Sequence, residues 1–221
     1  MARAEKGFFG GVYGKLGNVV FYRRNGKVFA RSKPKNKKRA PSRAQMRQRI
    51  RFQKVSRFAH TLRPIVACTF RKNHRGRIGT NIVISKVFED ALVGEYPDLE
   101  IDYSKVVISN GTLGRGRAED AIRVAGHIEF RWWEVEEHPN AHVVLVAYFP
   151  KVNQSIYTIG TAVRAAGTAR LEIPPSLQSG DAETWIGFVT PNLADASMSE
   201  YTGRVKAVVT RSRKRGARKP R

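Results

Sequence analysis

Hydrophobic and polar residues alternate along residues 19–32, VVFYRRNGKVFARS, on both sides of the dipeptide Asn25-Gly26. This dipeptide favours a two-residue type I′ turn, because both turn residues need positive φ. The pattern therefore predicts a β-hairpin in which Arg24 pairs with Lys27. One face of this hairpin interleaves aromatic rings with cations and carries Val20, Tyr22, Arg24, Lys27, Phe29 and Arg31.

That face has two interpretations. Cations next to aromatic rings suit phosphate contact combined with stacking of bases or sugars. We expect Tyr22 and Phe29 to pack on a neighbouring helix, and the tip cations Arg23, Arg24 and Lys27 to contact phosphate. The glycines between residues 7 and 17 predict a flexible or tightly turning lead-in, since they lack the lysine-serine pair of a nucleotide-binding loop.

A helix is predicted from Ser42, which can form a capping box with Gln45. Pro64 should kink or end it, and Arg51 departs from its amphipathic pattern. The apolar side of this helix carries Phe52, Val55, Phe58, Ala59, Leu62, Ile65 and Val66. The opposite side is cationic and carries Arg43, Arg47, Arg49, Lys54 and Arg57.

A solvated helix face usually mixes Glu with Lys at a spacing of four residues. Asp and Glu are absent from residues 6–88, so phosphate contact is favoured over simple solvation. Residues 33–41 predict an extended basic linker, and residues 71–79 a second basic loop. Residues 80–94 predict a second helix, capped by Thr80 or Asn81 and ended by Gly94.

Beyond residue 100, short apolar and β-branched runs alternate with turn residues. Seven such runs predict an antiparallel β-sandwich of immunoglobulin or fibronectin-III type. The fold class is therefore α+β, with a basic hairpin–linker–helix region at 1–100, a sandwich domain at 101–210 and a basic tail at 211–221. The predicted strands are 104–109, 125–133, 142–149, 154–160, 169–174, 183–190 and 201–209.

The charged residues are distributed according to the same division of the chain. Residues 1–80 carry 23 Lys and Arg and one acid, whereas residues 81–210 carry 11 Lys and Arg and 17 acids. Residues 211–221 carry seven Lys and Arg and no acid, which brings the formal net charge to +23. Segregated charge of this kind indicates contact with nucleic acid or with a membrane surface.

Several stretches together resemble a known family. They are GKLGNVVFYRRNGKVFARSKPK, PSRAQMRQRIRFQKVSRF, GEYPDLEIDYSKVVISNGTL, GHIEFRW and SMSEYTG, and they extend to about residue 209. In this order they are similar to a domain family of unknown function that is common in Bacteroidota. The resemblance implies a bacterial or bacteriophage source. The family has no established activity, so the resemblance implies no catalytic or binding residues.

Catalytic motifs are absent from the sequence. It contains no G-x-S-x-G, Walker A, H-E-x-x-H or C-x-x-C pattern, and its one cysteine, Cys68, excludes a disulfide within the chain. We therefore expect a non-enzymatic protein without cofactor, metal site or small-molecule substrate. No apolar run approaches the length of a membrane span, and no signal-peptide pattern precedes the hairpin.

The leading hypothesis is a nucleic-acid-binding protein that recognises backbone charge largely independently of sequence, within a ribosome, nucleoid or virion interior. RNA and DNA both remain open. The alternative is a structural protein of a phage particle or surface assembly that uses the sandwich for protein contacts. Localisation is expected to be cytoplasmic or inside a virion, without secretion. The cations predicted to contact phosphate are Arg23, Arg24, Lys27, Arg31, Lys33, Lys35, Lys37, Lys38, Arg39, Arg43, Arg47, Arg49, Lys54, Arg57, Arg71, Lys72, Arg75, Arg77, Arg211, Arg213, Lys214, Arg215, Arg218, Lys219 and Arg221.

Overall fold

A computed structural model describes residues 3–4, 12–34, 40–71, 78–133 and 137–207. The chain divides into two compact units, Met1–Met46 and Arg47–Arg221. This division differs from the predicted boundary at residue 100, because most of the helical region packs on the sandwich. The basic tail at 211–221 lies outside the described residues.

The first unit contains a four-stranded antiparallel sheet in the order β1-β2-β3-β4. The predicted hairpin is β3–β4, and Arg24 pairs with Lys27 as expected. Part of the glycine-rich lead-in forms β2 and is a strand rather than a flexible segment; it ends at a turn where Gly17 has φ +57°. The strands are β1 Arg3–Ala4, β2 Val12–Leu16, β3 Val19–Arg24 and β4 Lys27–Ser32.

Three α-helices follow: α1 Arg43–Thr61, α2 Arg63–Thr69 and α3 Gly79–Lys86. The capping box at the start of α1 is confirmed. The Ser42 N–H donates to Gln45 Oε1 at 3.1 Å, and the Gln45 N–H donates to Ser42 Oγ at 3.2 Å. The helix ends before Pro64, whose ring then occupies the first turn of α2, where a missing N–H does no harm.

The second predicted helix, 80–94, is shorter than expected. Helix α3 begins at Gly79 and passes into a π-helical turn, Val87–Ala91, so Gly94 follows a short strand instead of a helix end. Neither Thr80 nor Asn81 caps it, because Ile78 occupies the cap position without a side-chain hydrogen bond. A Cβ at Gly79 would lie 2.4 Å from the Val66 carbonyl oxygen, so glycine permits α3 to approach α2 closely.

The second unit contains the predicted antiparallel sandwich. Its two sheets have the orders β10-β9-β12-β13 and β11-β8-β7, and β5 and β6 form a separate two-stranded pair. Helical 3₁₀ turns lie at Tyr103–Lys105, Arg164–Ala166 and Pro175–Leu177. The strands are β5 Leu92–Val93, β6 Glu100–Ile101, β7 Ile122–Val124, β8 His127–Arg131, β9 His142–Phe149, β10 Gln154–Val163, β11 Thr168–Glu172, β12 Ala182–Val189 and β13 Glu200–Val205.

One predicted strand, 104–109, is wrong. This stretch begins as a 3₁₀ turn and continues without strand pairing, while Ile122–Val124 supplies the seventh strand of the sandwich. The Ile108 side chain is nevertheless fully buried, and its N–H donates to Ser199 Oγ at 2.9 Å. The apolar run therefore reflects burial in the core rather than membership of a sheet.

The four-stranded sheet of the sandwich, β10-β9-β12-β13, is covered on both faces. From β9, Val143 and Leu145 join the core between the two sheets, whereas Val144 and Val146 join the core beneath the helices. Every residue of β12 is buried as well. Burial on both faces explains why β9 and β12 are continuous apolar runs, since a strand with one solvated face would alternate.

An aromatic cluster connects the helical layer to this sheet. The Phe58 ring of α1 lies 4.8 Å from Tyr148 and 6.4 Å from Trp185, measured between ring centroids. Tyr103 packs 5.6 Å from Phe58, and Tyr201 packs 5.7 Å from Trp185. Edge-to-face contacts of this kind add to the free energy of apolar burial and determine the position of α1 on the sheet.

We predict that Phe58→Ala lowers the free energy of unfolding by about 3–5 kcal/mol, because it leaves a cavity in this cluster. Met46→Ala, at an exposed position of the same helix, should cost less than about 1 kcal/mol. Urea denaturation followed by circular dichroism measures both. Similar midpoints for the two variants would contradict the central role of Phe58.

Alkaline pH should also destabilise the fold. Burial raises the pKa of Tyr103 and Tyr201, and for Tyr201 the hydrogen bond to Glu183 raises the pKa further. Stability is therefore complete below the ordinary tyrosine pKa of about 10 and falls above it, since the unfolded phenols ionise first. The urea midpoint should fall less steeply with rising pH in Tyr201→Phe than in the unmodified protein. An equally steep fall would show that Tyr201 does not cause the loss of stability.

Candidate nucleic-acid interface

The structure describes 11 of the predicted phosphate-contacting residues, and all 11 side chains are exposed. They are Arg23, Arg24, Lys27, Arg31, Lys33, Arg43, Arg47, Arg49, Lys54, Arg57 and Arg71. The others lie outside the described residues: Lys35, Lys37, Lys38, Arg39, Lys72, Arg75, Arg77, Arg211, Arg213, Lys214, Arg215, Arg218, Lys219 and Arg221. The described cations lie in both compact units, which we treat separately.

On the sheet of the first unit, Tyr22 and Phe29 are cross-strand partners whose rings stack with centroids 5.6 Å apart. The Arg31 guanidinium carbon lies 5.5 Å from the Tyr22 ring centroid. The expectation that a helix covers these rings is wrong, because they are 40% and 42% exposed. The cross-strand stack keeps them in place while leaving ring surface accessible to solvent.

Two residues of β2 extend this surface and were missed by the sequence prediction. Lys15 pairs with Val20 across β2 and β3, so Lys15 and Tyr13 lie on the same face as Tyr22. The signal was the alternation in VYGKL, which the surrounding glycines obscured. The aromatic-cationic face, as we call it, consists of Tyr13, Lys15, Tyr22, Arg24, Lys27, Phe29 and Arg31.

In the second unit, α1 has no buried side chain before Val55. The first turns of the helix therefore expose nearly their whole circumference, including the cations Arg49 and Arg51. Phe52, predicted to lie on the core side, is 53% exposed, because the sheet lies beneath only the later turns. One side of its ring stacks on Phe88 at a centroid distance of 6.2 Å.

A groove of about 880 Å³ runs beside α1 and past the turn between β9 and β10. Phe52 is the large apolar side chain on its wall, and Arg49, Arg57 and His60 also contribute to the lining. None of the described residues that form this groove is acidic. The remaining lining residues are small or carry amides or hydroxyls: Gln48, Gln53, Ser56, Thr61 and Asn153.

The opposite side of α1 is different. Arg47 and Arg51 line a smaller cleft of about 290 Å³ together with Glu95 and Tyr96. The Glu95 carboxylate partly neutralises that side. The structure therefore separates Arg47 from Arg49 and Arg57, although the sequence pattern placed all three on one cationic face.

Several arginines of the sandwich are engaged within the protein. Arg131 lies 2.7 Å from Glu129, and this contact lowers the pKa of the Glu129 carboxyl group. The hydrogen bond from the Ala207 N–H, together with Arg204 at 3.0 Å, lowers the pKa of the Asp181 carboxyl group. The buried Arg164 donates to two backbone carbonyls, and its desolvation lowers the pKa of its guanidinium. By contrast, no acid lies between residues 6 and 88, the stretch that carries the described candidate cations.

In the part of the chain that the structure describes, no cluster of three or more His, Cys, Asp or Glu side chains could hold a metal ion. Among the described helices, none combines the length and the hydropathy that a bilayer-spanning segment needs.

Fold and surface together define a protein of two units, a basic antiparallel sheet and a fibronectin-III-like β-sandwich that carries a layer of helices with a cationic outer side. The chain belongs to a family of unknown function (DUF6266), whose family model matches residues 11–203. This match confirms the resemblance of the sequence motifs to a domain family of unknown function. No curated protein matches the chain.

The solved structures that are similar to part of it include two fibronectin-III domains. The fn3 domain of human collagen alpha-1(XX) chain is 18% identical, with a TM-score of 0.33, over 51% of this chain and 99% of that domain. The fn3 domain of human contactin 1 is 16% identical, with a TM-score of 0.29, over 46% of this chain and 93% of that domain.

The hairpin tip leads to a prediction about this interface. Asn25 and Gly26 have φ of +50° and +77°, as a type I′ turn requires. Gly26→Ala should cost about 1–2 kcal/mol in local hairpin stability, because a Cβ disfavours this backbone region. Hydrogen exchange at the β3–β4 amides should accelerate. Asn25→Gly is the matched control and should leave exchange unchanged, and equal protection in the two variants would argue against the turn's role.

Proposed function

We propose that this protein binds nucleic acid without catalysing a reaction, and that it recognises mainly the charge of the phosphate backbone. The observation that carries this proposal is the exposure of all 11 described candidate cations, in a stretch where residues 6–88 contain no acid. Like charges held on a folded surface repel one another. A polyanion relieves that repulsion and releases its own bound counterions.

The chemistry of the aromatic-cationic face supports the same proposal. Its exposed Tyr22 and Phe29 rings lie beside Arg31 and Lys27, and this combination suits contact with a base or sugar next to a phosphate. An acidic protein partner would match the charge but would leave the aromatic rings without a role. Nothing in the described residues resembles a base-reading helix-turn-helix or zinc finger, so we expect weak sequence preference.

Salt dependence tests the proposal directly. Each phosphate neutralised contributes ~0.9 to the slope of log affinity against log salt on duplex and ~0.7 on single strands. The double variant Arg24→Gln/Lys27→Gln should therefore lower the slope by about 1.4–1.8 if both residues contact phosphate. Fluorescence anisotropy of labelled RNA and DNA over a series of salt concentrations measures it.

The matched control is Arg131→Gln/Arg170→Gln, which removes two sandwich arginines that lie beside Glu129. Its slope should equal that of the unmodified protein. Absence of binding to any RNA or DNA at low salt would reject the proposed function. If the two double variants have equal salt slopes, the aromatic-cationic face is not part of the nucleic-acid interface.

A second candidate is a structural protein of a particle or surface assembly. It is favoured by the other face of the first unit's sheet, where Leu16, Val19 and Val28 are exposed apolar side chains. Exposed apolar surface on a small sheet is typical of a contact with another protein. Analytical ultracentrifugation with and without nuclease treatment distinguishes assembly through protein contacts from assembly on nucleic acid.

A further inference from the structure

Phe52 is an exposed aromatic ring that is nevertheless held in place. One side of it stacks on Phe88, with the two ring planes 22° apart, while about half of its surface remains open. An aromatic ring immobilised on one side offers its other side to a partner at little cost in conformational entropy. The same ring forms part of the wall of the groove beside α1.

Cations lie on both sides of this ring along the helix. Arg49 precedes Phe52 by one turn and Arg57 follows it by more than one turn, and both line the groove. At ~1.5 Å rise per residue, the two arginines are about 12 Å apart along the helix axis. Gln53 lies between them and carries an amide that can both donate and accept hydrogen bonds.

We propose that this groove binds an unpaired nucleobase of a single-stranded nucleic acid. The base stacks on Phe52, and the phosphates on either side of its nucleoside contact Arg49 and Arg57. This inference rests on the proposed function and adds the substrate class. In a duplex both faces of a base are already stacked, so Phe52 gains a partner only where the strand is unpaired.

An apolar groove can also receive a peptide helix, but the lining here argues against it. Recognition of an amphipathic helix needs several apolar anchor sites at helical spacing. Among the described lining residues Phe52 is the one large apolar side chain, and the others are cationic, polar or small.

The test uses the full-length chain and compares Phe52→Leu with Phe52→Tyr. Leucine keeps an apolar side chain but cannot stack, whereas tyrosine keeps the aromatic ring. Three labelled probes of one sequence are titrated by fluorescence anisotropy: single-stranded RNA, single-stranded DNA and the DNA duplex. We expect Phe52→Leu to weaken single-strand binding by about 5- to 150-fold, which corresponds to ~1–3 kcal/mol for one stacked base, and duplex binding by less than about twofold.

Phe52→Tyr should bind all three probes like the unmodified protein. Met46→Ala, an exposed apolar position of α1 outside the groove lining, should do the same. Thermal melting of each variant verifies that it is folded. A loss of affinity for single-stranded RNA alone, or for single-stranded DNA alone, would identify which nucleic acid the groove binds.

Three results would overturn the inference. The first is unchanged single-strand affinity in Phe52→Leu, and the second is an equal loss of affinity for single strands and for the duplex. The third is a loss of affinity in Phe52→Tyr as large as that in Phe52→Leu. In each of these cases the unmodified protein still binds nucleic acid, so the proposed function stands. Failure of the unmodified protein to bind any of the three probes at low salt would instead reject the proposed function itself.

Discussion

The second unit depends on one contact, the packing of Phe58 against the aromatic residues of the sheet β10-β9-β12-β13. It positions α1 over Tyr148 and Trp185, and the later turns of the helix bury Val55 and Leu62 in the same core. Because these turns are anchored, the earlier turns can remain exposed without losing their helical conformation. A cationic helix that contains no acid of its own would be a weak element in isolation, since most helical stability in proteins comes from tertiary packing.

This arrangement separates arginines that make contacts within the protein from arginines that line an open groove. In the sandwich, Arg131 and Arg204 contact carboxylates, and Arg164 is buried against backbone carbonyls. On α1, Arg49 and Arg57 line an open groove that has no acidic lining residue among those described. Arginine therefore occurs here both in contacts within the protein and on an open surface.

Several features could be predicted from sequence because they depend on neighbours along the chain. The hairpin register follows from Asn25-Gly26, and the helix start follows from the reciprocal bonds of Ser42 and Gln45. The strands from β8 to β13 were predicted because their apolar runs are bounded by turn residues. The predicted strand at 104–109 was wrong for the converse reason. Ile108 is buried by residues distant in the chain, so its hydrophobicity carries no information about strand pairing.

The sequence by itself determined the segregation of charge, the hairpin turn and the α+β class, since each depends on composition or short-range spacing. Tertiary structure alone decided which cations share a surface and which aromatic rings are exposed. Periodicity placed Phe52 with the core and Arg47 with Arg49, yet the sheet lies beneath only the later turns of α1 and Glu95 lies beside Arg47. A helical repeat gives the direction of a side chain, but what that side chain meets depends on elements folded from elsewhere in the chain.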